Sequence, residues 1–148
     1  MEILDGKKTS AEVREDLRRE VEKLKAQGHR PPHLAAILVG DNGASITYVN
    51  AKVKACEEIG FQSSLIKYPA EISQQELLDK IDELNEDPAV DGFIVQLPLP
   101  AHIDEKLVTE SILPEKDVDG FHPVNMGRLA MGQPTLVPAT PAGIIELL

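Results

Sequence analysis

Tyr48 and Lys52 are four residues apart in a stretch with helical apolar spacing, so they fall one turn from each other on a single stripe. A ring beside an amine can stack a flat ligand and move a proton. Ile46, Val49, Val53 and Cys56 form the adjacent apolar stripe. A lysine at the edge of that stripe has its charged form disfavoured by burial and by the nearby helix N-terminus. The plainer reading is a solvated helix lysine. Gln96 is the second candidate. It ends the apolar run Phe93-Ile94-Val95 and needs hydrogen-bond partners, while Pro98 and Pro100 stiffen the exit that aims its amide. It orients Lys52 or a ligand, or it satisfies nearby loop backbone. The third is Pro114-Glu115-Lys116-Asp117-Val118-Asp119-Gly120. No His or Cys stands near at ligand spacing and no calcium-loop pattern occurs, so no metal site is expected. A carboxylate here can accept two N–H donors from an amino-substituted heterocycle, or simply form a turn. Cys56 reads as a small core hydrophobe. Of the four histidines only His122 falls near these groups, and no dyad is evident.

The elements that must hold these groups are legible in the apolar spacing. Thr9 and Glu12 have capping-box spacing, and Val13, Leu17, Val21 and Leu24 continue a helix until Gly28. A buried strand is expected over 33–39, then a helix over 45–59 closed by Gly60, and a second strand over 61–68. Ser73 and Glu76 open a further helix through Leu77, Leu78, Ile81 and Leu84. A third strand over 93–96 and a short helix over 105–112 follow. Apolar strands alternating with amphipathic helices predict an α/β fold with three α/β/α layers and a mainly parallel sheet. Ligands then sit at the carboxyl edge of the strands, after Val39, Tyr68 or Val95. Thr140 and Pro141 look like the N-cap and first position of a last helix. Its apolar Ile144, Ile145, Leu147 and Leu148 lead to the expectation that the chain is a piece of a larger protein.

Composition narrows the function classes. The chain has 148 residues, 42% hydrophobic and 27% charged, with a formal net charge of −10. That length suits one domain, and the acidic balance argues against a nucleic-acid partner. The longest apolar run, Leu34 to Val39, is too short for a bilayer, so no membrane partner is expected. The charged start through Met1, Glu2 and Lys7 is unlike a secretory signal. One cysteine suits a reducing cytoplasm. No Gly-x-Gly-x-x-Gly or P-loop pattern offers a nucleotide seat.

The segments Val39-Gly40-Asp41-Asn42, Tyr48-Val49-Asn50-Ala51-Lys52, Val95-Gln96-Leu97-Pro98-Leu99-Pro100, Lys116-Asp117-Val118-Asp119-Gly120, Asn125 with Gly127-Arg128-Leu129, and Thr140-Pro141 fall in one order along the chain. Together they resemble the bifunctional methylenetetrahydrofolate dehydrogenase/methenyltetrahydrofolate cyclohydrolase family. Gly43 and Ala139 stand where many members carry proline and cysteine.

The resemblance implies a fold like the N-terminal domain of amino-acid dehydrogenases, with residues 1–139 as the catalytic domain. Residues 140–148 would begin the helix leading to an NADP-binding Rossmann domain absent from this chain. It implies that Lys52 is the catalytic lysine, that Tyr48 stacks on the folate rings, that Gln96 hydrogen-bonds the lysine and that Asp119 holds the pterin. Val49, Asn50, Ala51, Val95 and Leu97 complete the substrate site on the same basis. It further implies oxidation of 5,10-methylenetetrahydrofolate with NADP and hydrolysis of the methenyl product to 10-formyltetrahydrofolate, in the cytoplasm, as part of one-carbon metabolism. The parent protein would be a homodimer. This chain would be a monomer, without NADP binding or dehydrogenase activity of its own. Two other readings of the residues are a binding module without catalysis and an enzyme using Lys52 as a Schiff-base nucleophile.

Overall fold

The computed structural model describes residues 4–148; Met1, Glu2 and Ile3, from the charged start, lie outside the described residues. β1 (His33–Val39) is the central strand of a parallel sheet, flanked by β2 (Gln62–Tyr68) and β3 (Gly92–Val95) in the order β2-β1-β3. Ala36 lies opposite Leu65 on one neighbour and Ile94 on the other. Successive side chains of a strand alternate between faces. Ala35, Ile37 and Val39 therefore enter one core while Ala36 and Leu38 enter a second. This is why the strand reads as a continuous apolar run: helices cover it on both sides.

α3 (Gln74–Glu86) and α4 (Glu105–Ser111) cover the first face, where Leu77, Ile81, Leu84 and Val108 pack with Phe93. α2 (Gly43–Ile59) covers the second, with Val49 fully buried against Ala36, Leu38 and Ile94. α1 (Gly6–Ala26) lies outside α2 and reaches it through an ion pair, Arg14 to Glu58 at 2.9 Å. The result is the α/β architecture with a parallel sheet between helical layers that the alternation of elements implied.

Local chemistry sets the boundaries. The capping box of α3 forms as expected: the Ser73 hydroxyl accepts from the Glu76 N–H, and the Glu76 carboxylate accepts from the Ser73 N–H. The box expected at Thr9 and Glu12 does not form. The Asp5 carboxylate accepts from the Lys7 and Lys8 N–H groups and starts α1 earlier, leaving the Thr9 hydroxyl to donate to the Asp5 carbonyl. Of the expected stripe on α1 only Val21 is buried; Val13, Leu17 and Leu24 stay more than a third exposed. Asn42 caps α2 at the Ala44 and Ser45 N–H groups, so the helix begins at Gly43, two residues before the expected start. Gly60 closes α2 in the left-handed region at φ +83°, which a side chain rarely tolerates.

Two further helices follow. α5 (Pro123–Ala130) is not foreshadowed in the apolar spacing, because Val124, Met126 and Leu129 all remain substantially exposed. α6 (Ala139–Leu147) starts one residue before Thr140, with Pro138 at the cap position and no side-chain cap. The expected Thr140 cap is therefore not made, and Thr140 and Pro141 lie inside the first turn. Among the described residues no helix is long and apolar enough to cross a membrane.

Candidate active site

A cleft of about 350 Å³ opens between α2, the exit from β3, the loop after α4 and the start of α6. Tyr48, Lys52, Gln96 and Asp119 all line it. α2 brings the first two because Val49, Val53 and Cys56 turn one stripe onto the sheet and leave the neighbouring stripe facing sideways. Tyr48 is 66% exposed, an open ring face at the mouth. Lys52 extends inward until its Nζ lies 3.7 Å from Oδ1 of Asp119. The amine thus meets a carboxylate rather than a purely apolar wall.

Gln96 follows directly on the last residue of β3. Its Nε2 donates to the Leu97 carbonyl at 2.8 Å, which settles the orientation of the amide. The other end, Oε1, is buried without a hydrogen-bond partner. A buried carbonyl oxygen in that state carries a desolvation penalty until a donor reaches it. Gln96 thus satisfies loop backbone at one end, while the hydrogen bond to Lys52 that the resemblance implied is not made: Lys52 meets Asp119 and Oε1 stays an open acceptor. The Leu97 carbonyl also accepts from the buried Ser45 hydroxyl at 3.4 Å, joining the first turn of α2 to the strand exit.

The two carboxylates of the 114–120 segment have opposite surroundings. Asp117 is buried, its oxygens filled by the Gly120 and His122 N–H groups and the Asn125 amide. Asp119 faces the cleft. Burial pushes its carboxyl above the ordinary carboxylate range, Lys52 pulls it back, and the charge of Asp117 adds to the rise. The turn between them and α6 needs a glycine. Gly120 has φ +72°, and a Cβ there would lie 2.8 Å from the Pro138 nitrogen.

Val95 and Leu97 line the cleft, whereas Val49 is core and neither Asn50 nor Ala51 is among the lining residues. Of the three strand ends singled out, only the one after Val95 borders the cleft; Gly40 to Asn42 turn into the cap of α2, and Tyr68 packs at the edge of the core. Thr109 on α4, Ile112 just beyond its end, Phe121, and Ala139 and Thr140 on α6 also line it and were not anticipated. Phe121 had a signal, as one of three phenylalanines in a chain only 3% aromatic, next to the glycine of the acidic turn. Cys56 is buried, its thiol pushed up by burial and by Glu57, in keeping with a packing role. His122 caps α5 by accepting from the Val124 N–H. Among the described residues no group of three His, Cys, Asp or Glu side chains converges as a metal site requires.

The tetrahydrofolate dehydrogenase/cyclohydrolase catalytic-domain model matches residues 4–119. The chain belongs to this family. Members of the tetrahydrofolate dehydrogenase/cyclohydrolase family that it resembles include the bifunctional protein FolD of Cytophaga hutchinsonii, 59% identical over all 148 residues, and that of Flavobacterium johnsoniae, 58% identical. The chain spans about half the length of these curated relatives, 51% and 50%. Among solved family structures, the bifunctional enzyme FolD of Campylobacter jejuni superposes with a TM-score of 0.96 at 50% identity, over the whole chain and 52% of that protein. The Trypanosoma brucei methylenetetrahydrofolate dehydrogenase-cyclohydrolase, solved with NADP cofactor and an inhibitor, gives 0.93 at 37% identity, over 97% of this chain and 50% of that one.

An NADP seat needs a place for a pyrophosphate. Pyrophosphate is held where helix N-terminal N–H groups are free. Each of α1 to α5 has one or two of these groups engaged by a cap side chain, that of Asp5, Asn42, Ser73, Asp104 or His122. Only α6 lacks such a cap, and it opens on the cleft that holds the Asp119 carboxylate. The start of α6 thus sets any bound anion beside a carboxylate, a poor setting for a pyrophosphate.

Proposed function

We propose that this chain carries the folate side of the active site of a bifunctional enzyme. In this reading the enzyme oxidises 5,10-methylenetetrahydrofolate to the methenyl form with NADP and hydrolyses it to 10-formyltetrahydrofolate. The observation that supports this most is the convergence of Tyr48, Lys52, Gln96 and Asp119 on one cleft. Tyr48 offers its open face to the flat rings of the folate. Asp119 accepts from the amino and ring N–H groups of the pterin, a paired geometry that selects an amino-substituted heterocycle. Val95 and Leu97 supply apolar wall, and the turn Val49-Asn50-Ala51 spaces the ring from the amine. The NADP site and the larger share of the dimer contact belong, in this reading, to the part of the relatives that this chain does not span. Residues 1–139 then act as the catalytic domain, with 140–148 beginning the connection onward. The chain by itself is a monomer without NADP binding, and its setting is the cytoplasm.

Hydride transfer asks the chain for positioning, which stacking on Tyr48 and pairing with Asp119 provide. Hydrolysis asks for proton transfer. Water adding to the methenyl cation gives up both protons as the formyl group forms: one goes to solvent and one to the ring nitrogen that leaves. Lys52 Nζ is the group placed to relay it. The buried, unpartnered Oε1 of Gln96 offers the acceptor that holds the amine, or a water, in line.

Lys52→Ala, in a protein carrying this chain together with the remainder its relatives possess, is expected to lower turnover of 5,10-methenyltetrahydrofolate by about 10²–10⁴-fold. Unchanged turnover would return Lys52 to a structural role. Borohydride trapping of a carbonyl substrate on Lys52 would favour the Schiff-base alternative instead.

A further inference from the structure

Asp117 and Asp119 are two residues apart, yet their surroundings divide the work between them. Asp117 is 2% exposed and saturated. Its Oδ1 accepts from the Gly120 N–H at 3.0 Å, and its Oδ2 from the His122 N–H at 2.7 Å and the Asn125 Nδ2 at 2.9 Å. Only donors face it, the arrangement that suits a carboxylate acting as acceptor. Asn125 is equally buried and spends all its capacity on this network. It donates also to the Pro114 carbonyl at 2.8 Å and accepts from the Thr135 hydroxyl at 2.8 Å. The Asn125 side chain on α5 thus holds the segment at Pro114 and Asp117, and Asp117 in turn holds it at His122. Asp119 lies at its apex. Among the described residues no N–H group of the loop donates to its carboxylate, which meets only Lys52.

We infer that Asp117, anchored by Asn125, is the positioning residue for Asp119: it shapes the loop so that the Asp119 carboxylate enters the cleft without internal donors, and adds a second buried negative charge behind it. The inference rests on the reading of Asp119 as the group that holds the ligand's N–H donors, and deepens it. A lone carboxylate at a turn folds back on its own backbone, as Asp and Asn side chains do at turns. Here Asp117 takes those backbone donors and leaves Asp119 free. The titratable groups facing Asp119 are Tyr48 and Lys52 from α2 and Asp117 from beneath; the exit of β3 and the start of α6 present uncharged side chains.

The test begins on the unliganded chain. Carbon-detected NMR of the Asp119 carboxyl is expected to show its titration midpoint moving to lower pH in Asp117→Asn, because the neighbouring charge is gone. An unmoved midpoint would overturn the inference. Asn125→Ala keeps the charge and removes one strut. It is expected to speed amide hydrogen exchange at Gly120 and His122 while Asp119 titrates as in the wild type. Unchanged exchange would also overturn the inference, and this arm decides if Asp117→Asn does not fold.

Calorimetric titration with 5-formyltetrahydrofolate is expected to show about tenfold weaker binding in both variants. Only in Asp117→Asn does the acid limb of binding move to lower pH. Wild-type binding with both variants equal to it would overturn the inference. No wild-type binding of that probe would count against the folate reading, while the NMR and exchange results still judge Asp117.

Discussion

The two faces of the sheet are built from alternate residues of the same strands and differ sharply in what covers them. Among the described residues, fourteen buried side chains form a continuous core under α3 and α4; under α2, four do, edged by the half-buried Ile46, Val53, Leu65 and Val118. The dense face supplies the floor of the cleft through Phe93, Val95 and Ile112. The thin face supplies the groups that do chemistry, Tyr48 and Lys52. Rigidity and reactivity are thus assigned to opposite sides of one sheet.

That contrast is open to direct attack. Leu77→Ala, at a fully buried position under α3, is expected to lower stability by about 2–5 kcal/mol in urea unfolding. Val49→Ala, equally buried on the thin face, removes two carbons and is expected to lower it by only about 2 kcal/mol. Equal losses, or a larger one at Val49, would erase the distinction between the faces.

A smaller effect sharpens it from the site itself. The Asp119 carboxyl is raised in the folded chain, chiefly by burial, so its ionised form opposes folding at neutral pH. Asp119→Asn is expected to raise Tm by about 1–3 °C near pH 7. The gain should fade as the pH drops through the raised folded value and be absent below the ordinary carboxylate range, where Asp119 is protonated in both states. Thermal unfolding at pH 7 and pH 3 reads this, and a destabilised variant at pH 7 would contradict it. Ser73→Ala, which removes the cap of α3, should cost about 1 kcal/mol and leave folate binding unaltered.

The sequence disclosed most where a local rule and the tertiary environment agree. β1 runs from His33 to Val39 as its apolar run indicates, and Ser73 with Glu76 makes the box its spacing suggests. The pair Tyr48 and Lys52 was legible because helical spacing alone places them together. What stayed hidden depends on distant partners. Thr9 and Thr140 have the right identity for caps, but Asp5 and Pro138 occupy the cap positions. No pattern within 114–120 says which aspartate turns inward, since that is decided by Asn125 and Thr135 farther along. The share of Ala139 and Thr140 in the cleft likewise depends on the chain returning to it.

Gly120 makes that return consequential. Its α-carbon presses on the backbone between Leu136 and Pro138, with no room for one methyl group. The acidic turn and the approach to α6 therefore lie backbone against backbone, so neither can move toward the other, and the spacing of the Asp119 wall from the start of α6 has a floor set by the chain itself.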